Sequence, residues 1–158
     1  MDGITIHEVC EVKEIYVASL NALLQQLSSK PHPFTVADLD AIVKSDASHL
    51  FVVETDGVVC GMLTLGEYLS PTGRKMWIED VVVDEAMRGR SLGRLLVEHA
   101  VAYARGKAPV SLMLTSRPSR VAANALYRSC GFEFKETNNY KMEIPAVGRK
   151  CGFSSKKV

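Results

Sequence analysis

The stretch from Glu79 to Leu96, EDVVVDEAMRGRSLGRLL, decides the fold of this chain. It opens with valines that are apolar on both faces, as in a central strand, and it ends in the leucine spacing of a helix. The turn between them contains two glycines and three arginines, namely Arg88, Gly89, Arg90, Gly93 and Arg94. Because PVSLMLTS at positions 109–116 follows as another strand, the segment predicts a strand-helix-strand crossover with two parallel strands.

The turn that carries the glycines is placed to hold an anion. A helix start exposes unpaired amide N–H groups and a partial positive charge, and glycines let a phosphate approach the main chain. The turn has neither the Gly-Lys-Ser/Thr of a nucleoside-triphosphate loop nor the G-x-G-x-x-G of a dinucleotide fold. A diphosphate-bearing cofactor of another kind is therefore the predicted ligand.

The composition is that of a soluble globular domain. Of the 158 residues, 47% are hydrophobic and 23% are charged, which disfavours disordered and membrane classes. The formal net charge of +1 argues against a nucleic-acid partner. Since no basic leader or long apolar run follows Met1, we expect a cytoplasmic protein with no membrane partner. We expect one domain over residues 1–145 and a basic, flexible tail over residues 146–158.

The four cysteines give no sign of a metal site. They are far apart, with no C-x-x-C pair and no histidine at metal-ligand spacing: Cys10, Cys60, Cys130 and Cys151. We therefore expect reduced, mostly buried thiols and no bound metal.

The remaining segments complete a mixed α/β fold. ITIHEV at 4–9 alternates like a strand, and an apolar stripe over residues 12–27 predicts a helix that ends before Pro31. Thr35 is placed to cap a second helix, and Asp56-Gly57 predicts a tight turn between two strands. A last helix over 119–129 ends at Gly131, and FEFKET and YKMEI predict a closing hairpin. The sum is a mixed, mostly antiparallel sheet of about seven strands with about four helices on both faces.

Two motifs in order carry a family resemblance. EDVVVDEAMRGRSLGRLL and LTSRPSRVAANALYRSCGFE resemble the signature halves of the Gcn5-related N-acetyltransferases, which use acetyl coenzyme A. The resemblance extends in element order over roughly Ile4 to Ile144. The family's loop reads Arg/Gln-x-x-Gly-x-Gly/Ala, and here Ser91 stands where the first signature glycine usually is. The serine hydroxyl could donate to a phosphate or cap the helix.

The resemblance implies which residues bind the cofactor. The pantetheine arm would pair with main-chain groups of Val81, Val82 and Val83, exposed by a bulge near Val82. An amide aimed at the thioester oxygen would steady the developing oxyanion. Tyr127 matches the family's general acid, and Asn124, on the same helical face, matches a cofactor contact. The pyrophosphate would bind the turn of Arg88, Gly89, Arg90, Ser91, Leu92, Gly93 and Arg94.

The acceptor would be an amine, which must lose a proton before it attacks. A lysine-like amine has a pKa of about 10.4, so a base is needed at neutral pH. Glu79 and Asp80 are the candidates, and strand alternation puts them on opposite faces, with Glu79 beside Trp77, Val81 and Val83. Either carboxylate could instead bind the acceptor. His32, in the loop that usually shapes the acceptor site of the family, is a third candidate for binding it.

Alternatives to a small-molecule N-acetyltransferase stay open. One is a sensor that binds acyl coenzyme A without turnover, and another is an acetyltransferase of protein lysines or N-termini. The latter needs an open groove rather than a closed pocket. The expected partners are acetyl coenzyme A and an amine acceptor, and the sequence does not decide between a monomer and a homodimer.

Overall fold

The computed structural model describes residues 3–146. Its strands are β1 (Ile4–Glu8), β2 (Ser48–Thr55), β3 (Val58–Ser70), β4 (Gly73–Val83) and β5 (Val110–Leu114). Its helices are α1 (Glu14–Leu27), α2 (Val36–Val43), α3 (Leu92–Arg105) and α4 (Val121–Ser129), and a short 3-10 turn spans Glu85–Met87. The predicted tail lies, apart from Ala146, outside the described residues, as does Cys151.

The strands form one sheet in the order β1-β2-β3-β4-β5. The first four are antiparallel neighbours, whereas β4 and β5 are parallel, with α3 as the crossover between them. This confirms the predicted parallel pair and the predicted fold class.

Helices cover both faces of the sheet, so the chain has two cores. Leu63 of β3 packs with α3 and α4, whereas the neighbouring Met62 packs with α1 and α2. Successive side chains along a strand thus point alternately into the two cores on opposite faces of the sheet. None of the described helices is both long and apolar enough to cross a bilayer.

Local signals place several boundaries as expected. Asp56 and Gly57 have φ of 52° and 79°, and Thr55 pairs with Val58, so this dipeptide makes the predicted two-residue turn. Thr35 caps α2 through a reciprocal capping box with Asp38.

Two predictions were wrong. The chain after α4 forms no hairpin up to residue 146: the described part of the sheet has five strands instead of about seven, and Phe134, Tyr140 and Met142 are more than 80% exposed. An alternating pattern gives a stable strand only where a sheet edge pairs with it, and this segment pairs with no described strand. The expectation of mostly buried thiols also fails, because of the three described cysteines only Cys60 is buried.

Candidate functional site

Strand β4 parts from β5 halfway along its length. Their pairing runs from Arg74 opposite Val110 to Ile78 opposite Leu114 and then stops. Beyond that point, residues 79–83 pair with β3 alone. The main chain of Val81, Val82 and Val83 therefore borders an opening into which an extended ligand could fit as an added strand.

A bulge in β4 sets the direction of the acidic pair. Met62 pairs with Val82 and Thr64 with Glu79, so Asp80 and Val81 together stand opposite Leu63. Asp80 takes the extra position with φ of 52°, a left-handed conformation that is uncommon for a residue with a side chain. The bulge thus spans Asp80 and Val81, directly before Val82, which confirms the bulge expected near Val82.

The bulge also reverses the predicted faces. Val81 and Val83 pack in the core on the α3 side together with Ile78, so Glu79, next to Ile78, does not share their face. Asp80 lines a cavity walled by Leu24 and Leu27 of α1. We expected Glu79 to lie beside Val81 and Val83, and the two acids to lie on opposite faces. Both predictions were wrong, because the extra residue in the bulge turns Asp80 to the α1 side.

The two carboxyl groups are electrostatically perturbed. Burial raises the pKa of Asp80, and burial followed by the negative charge of Asp80 raises the pKa of Glu79. Within residues 3–146 neither carboxylate forms an ion pair. Carboxylates with a raised pKa and no fixed counter-charge are suited to accepting a proton or binding an ammonium group.

The turn before α3 combines two residues of positive φ with the start of a helix. Gly89 and Ser91 have positive φ, 80° and 61°, in a turn that ends at the first residue of α3, Leu92. The start of a helix exposes unpaired main-chain N–H groups and carries a partial positive charge, so this turn is suited to an anion. Ser91 is the N-cap, but its hydroxyl makes no capping bond, so the cap that we considered for it is not formed.

Side chains tie this turn to its neighbours. A Cβ on Gly93 would lie 3.6 Å from Leu126 of α4 and 3.8 Å from Val83 at the end of β4. Arg94 donates to Glu98 and to Ser129 of α4, each at 2.9 Å. Arg88 lies 3.5 Å from Glu85, and Arg90 lies 3.6 Å from the sulfur of Met87. The start of α3 is thus held beside both the β4 opening and α4.

Tyr127 projects from α4 into the core on the α3 side. It is 6% exposed, and its ring packs edge-on against Phe132 at 6.2 Å. Burial raises its pKa, against a smaller lowering by Arg120, so the hydroxyl keeps its proton at neutral pH. Asn124, one turn earlier, donates to the carbonyl oxygen of Arg117 at 2.9 Å. In this structure the Asn124 amide is therefore a brace for the loop after β5.

The cavity beside Asp80 joins segments that are distant in sequence. It measures about 460 Å³ and lies between the end of α1, the loop of residues 28–34 and α2. Of the three predicted acceptor residues, His32 and Asp80 line it, whereas Glu79 does not. We refer to it below as the acceptor cavity.

Three residues near the acceptor cavity had no predicted role. Asn21 of α1 donates to the carbonyl oxygen of Phe34 at 2.7 Å and accepts from the Phe34 amide at 3.0 Å, which pins the loop to the helix. Gln26 accepts from the Glu85 amide at 2.9 Å, which joins α1 to the turn after β4. Lys30 lines the cavity itself. For Asn21, the available signal in the sequence was a polar residue within the predicted helix, next to its apolar stripe.

Comparison with known proteins finds similarity to acetyltransferases. The Acetyltransferase (GNAT) family matches residues 12–132. Glucosamine 6-phosphate N-acetyltransferase 1 of Oryza sativa subsp. japonica is 32% identical over 120 residues, covering 70% of each chain. Streptothricin acetyltransferase of Streptomyces lavendulae is 30% identical over 90 residues, 57% of this chain and 47% of the relative. An aminoglycoside N-acetyltransferase solved in complex with coenzyme A gives a TM-score of 0.73 at 18% identity, covering 89% of this chain and 94% of that one.

Proposed function

The chain belongs to the acetyltransferase (GNAT) family, and from that premise we propose that it moves an acetyl group from acetyl coenzyme A to a primary amine by direct attack in a ternary complex. Two relatives are named for the acetylation of glucosamine 6-phosphate and of streptothricin. The observation that carries the proposal is the parting of β4 from β5 directly beside the turn at the start of α3. A long carrier could bind there with its diphosphate at the start of α3 and its thioester arm in the opening between β4 and β5.

The residues present fit such a carrier. Main-chain groups of Val81, Val82 and Val83 would pair with the pantetheine arm, since these residues have a strand neighbour on one side only. The N–H groups of the turn around Ser91 and Gly93 would bind the diphosphate, helped by the partial positive charge of the helix start.

The proposed acid is Tyr127 of α4, and the proposed base is Glu79 of β4. Acetyl coenzyme A supplies an acetyl group activated as a thioester. Asp80, in the acceptor cavity, would hold the acceptor's ammonium group, and Glu79 would take the proton that the amine must lose. As the C–N bond forms and the C–S bond breaks, Tyr127 would give its proton to the departing sulfur, because a thiol with a pKa of about 8.5 leaves more readily once protonated. The second proton of the attacking nitrogen, which is lost as the amide forms, would restore the Tyr127 hydroxyl through solvent.

The acceptor cavity has room for a small amine. Its volume of about 460 Å³ falls within the range of pockets that hold small molecules, but the cavity is open to solvent rather than enclosed. Its shape therefore does not decide between a small amine and a protein lysine or N-terminus, and the small-molecule acceptors in the names of two relatives support the former.

Release of free coenzyme A, measured with and without a panel of primary amines, tests the proposed reaction. We expect thiol release that requires an amine and that falls in Glu79→Gln and Tyr127→Phe. Asp40→Asn, which removes a carboxylate paired with Lys44 outside the acceptor cavity, is the matched control and should behave like the wild type. Tight binding of coenzyme A without amine-dependent release would support the sensor instead.

A further inference from the structure

We propose that the acceptor carries, besides its amine, an anionic group, a phosphate or a carboxylate, which binds at the Lys30 side of the acceptor cavity. The inference rests on the proposed function, because it concerns the acceptor of that reaction. It follows from the charges at the two sides of the acceptor cavity and from the apolar wall between them.

The sheet side of the acceptor cavity is acidic. Asp80 reaches it from the β4 bulge, next to Glu79 and at the edge of the opening where β4 leaves β5. Its left-handed backbone fixes the direction of the side chain at an energetic cost of about 1 kcal/mol, as is often found at functional positions. An amine bound to Asp80 would lie close to the main chain that we assign to the pantetheine arm.

The loop side of the acceptor cavity carries Lys30, which is the one lysine or arginine among the described lining residues. Lys30 and His32 line it, and the Lys30 ammonium forms no ion pair within residues 3–146. The carboxylate of Asp38, which also lines it, is already engaged: one oxygen accepts from the Thr35 amide at 2.8 Å and from the Thr35 hydroxyl at 2.7 Å. These bonds, aided by the charge of His32, lower the pKa of Asp38, which remains a cap for α2. The Lys30 charge is therefore left for a ligand.

The wall between these two sides is largely apolar. Leu24 and Leu27 come from α1, Phe34 from the loop and Ile42 from α2. Carbon atoms of an acceptor would pack there, and its two charges would point to opposite sides. The reverse orientation would place the anion against Asp80 and the amine against Lys30, which like-charge repulsion disfavours. A polyamine would meet the same repulsion at Lys30.

Matched amines test the inference. The probes are pentylamine, 5-aminopentanoate and 1,5-diaminopentane for a carboxylate, and glucosamine with glucosamine 6-phosphate for a phosphate. For wild-type enzyme we expect kcat/KM about tenfold higher for an anionic member than for its neutral match, the size of one charge-assisted contact. The carboxylate and phosphate arms show which anion the cavity takes.

Charge reversal at Lys30 gives the sharpest comparison. Lys30→Glu should lose the preference for anionic amines and favour 1,5-diaminopentane over 5-aminopentanoate, with the KM for acetyl coenzyme A unchanged. Lys44→Glu is the matched control, because Lys44 does not line the cavity, and it should keep the wild-type preference.

The outcomes separate this inference from the proposed function. Turnover of neutral amines at least equal to that of their anionic matches, or a preference unaltered by Lys30→Glu, would overturn the anionic group and leave acetyl transfer standing. No amine-dependent release with any probe would overturn both.

Discussion

Tyr127→Phe separates catalysis from stability at a single atom. The substitution removes the hydroxyl and leaves the ring packed against Phe132 in the core. Among the described residues the Tyr127 hydroxyl forms no hydrogen bond, so its removal breaks no contact within residues 3–146. We therefore expect the free energy of unfolding to change by less than about 0.5 kcal/mol.

The expected kinetic effect is much larger. A positioned general acid contributes about 10² to 10⁴ in rate, so kcat should fall by about 100-fold or more while coenzyme A affinity stays within about twofold. Steady-state thiol release at saturating amine gives kcat, calorimetric titration gives the affinity, and urea unfolding gives the stability. A variant with wild-type kcat would refute the acid role.

Tyr103→Phe is the complementary control. The Tyr103 hydroxyl lies 3.1 Å from Nε2 of the buried His49, near the C-terminal end of α3 and far along the helix from the turn at Ser91. Its loss should cost about 1 kcal/mol of stability and leave kcat unchanged.

Three further predictions concern the cofactor turn, the base and the acceptor loop. Gly93→Leu should weaken coenzyme A binding about tenfold in calorimetric titration, because a long side chain does not fit between Val83 and Leu126. Gly93→Ala should bind coenzyme A normally. Equal affinities of the two variants for coenzyme A would contradict the placement of the diphosphate at this turn. The pKa of Glu79 is raised and a base acts when deprotonated, so activity should rise with pH through that pKa. If Glu79→Gln keeps the same rise in its pH-rate profile, Glu79 is not the base. Asn21→Leu loses both bonds to Phe34 and should raise the acceptor KM about tenfold without raising that for acetyl coenzyme A; equal changes in both would indicate general loosening.

Local patterns were enough for most of the fold. The apolar stripe of α1, the Asp56-Gly57 turn and the Thr35 cap each depend on residues close in sequence, and each has the predicted structure. The crossover through α3 also follows from one continuous segment. The family read from two motifs in order is confirmed by the match over residues 12–132.

Features that depend on distant partners were not predictable in this way. The family resemblance implied a bulge near Val82, but the faces of the side chains depend on how β4 registers with Leu63 of β3, because one extra residue reverses every later side chain. The joining of Lys30 and Asp80 in one cavity depends on the loop that Asn21 pins. The prediction of a hairpin after α4 was wrong for the same reason, because the alternation of apolar and polar residues does not show which sheet edge can pair with a strand.

A crystal structure with coenzyme A bound tests the central assignment most directly. The account predicts the diphosphate within hydrogen-bonding distance of main-chain N–H groups between Gly89 and Arg94, and the pantetheine arm paired with Val81–Val83 in the opening between β4 and β5. A diphosphate bound away from the start of α3, or an arm that makes no main-chain bonds to β4, would contradict it.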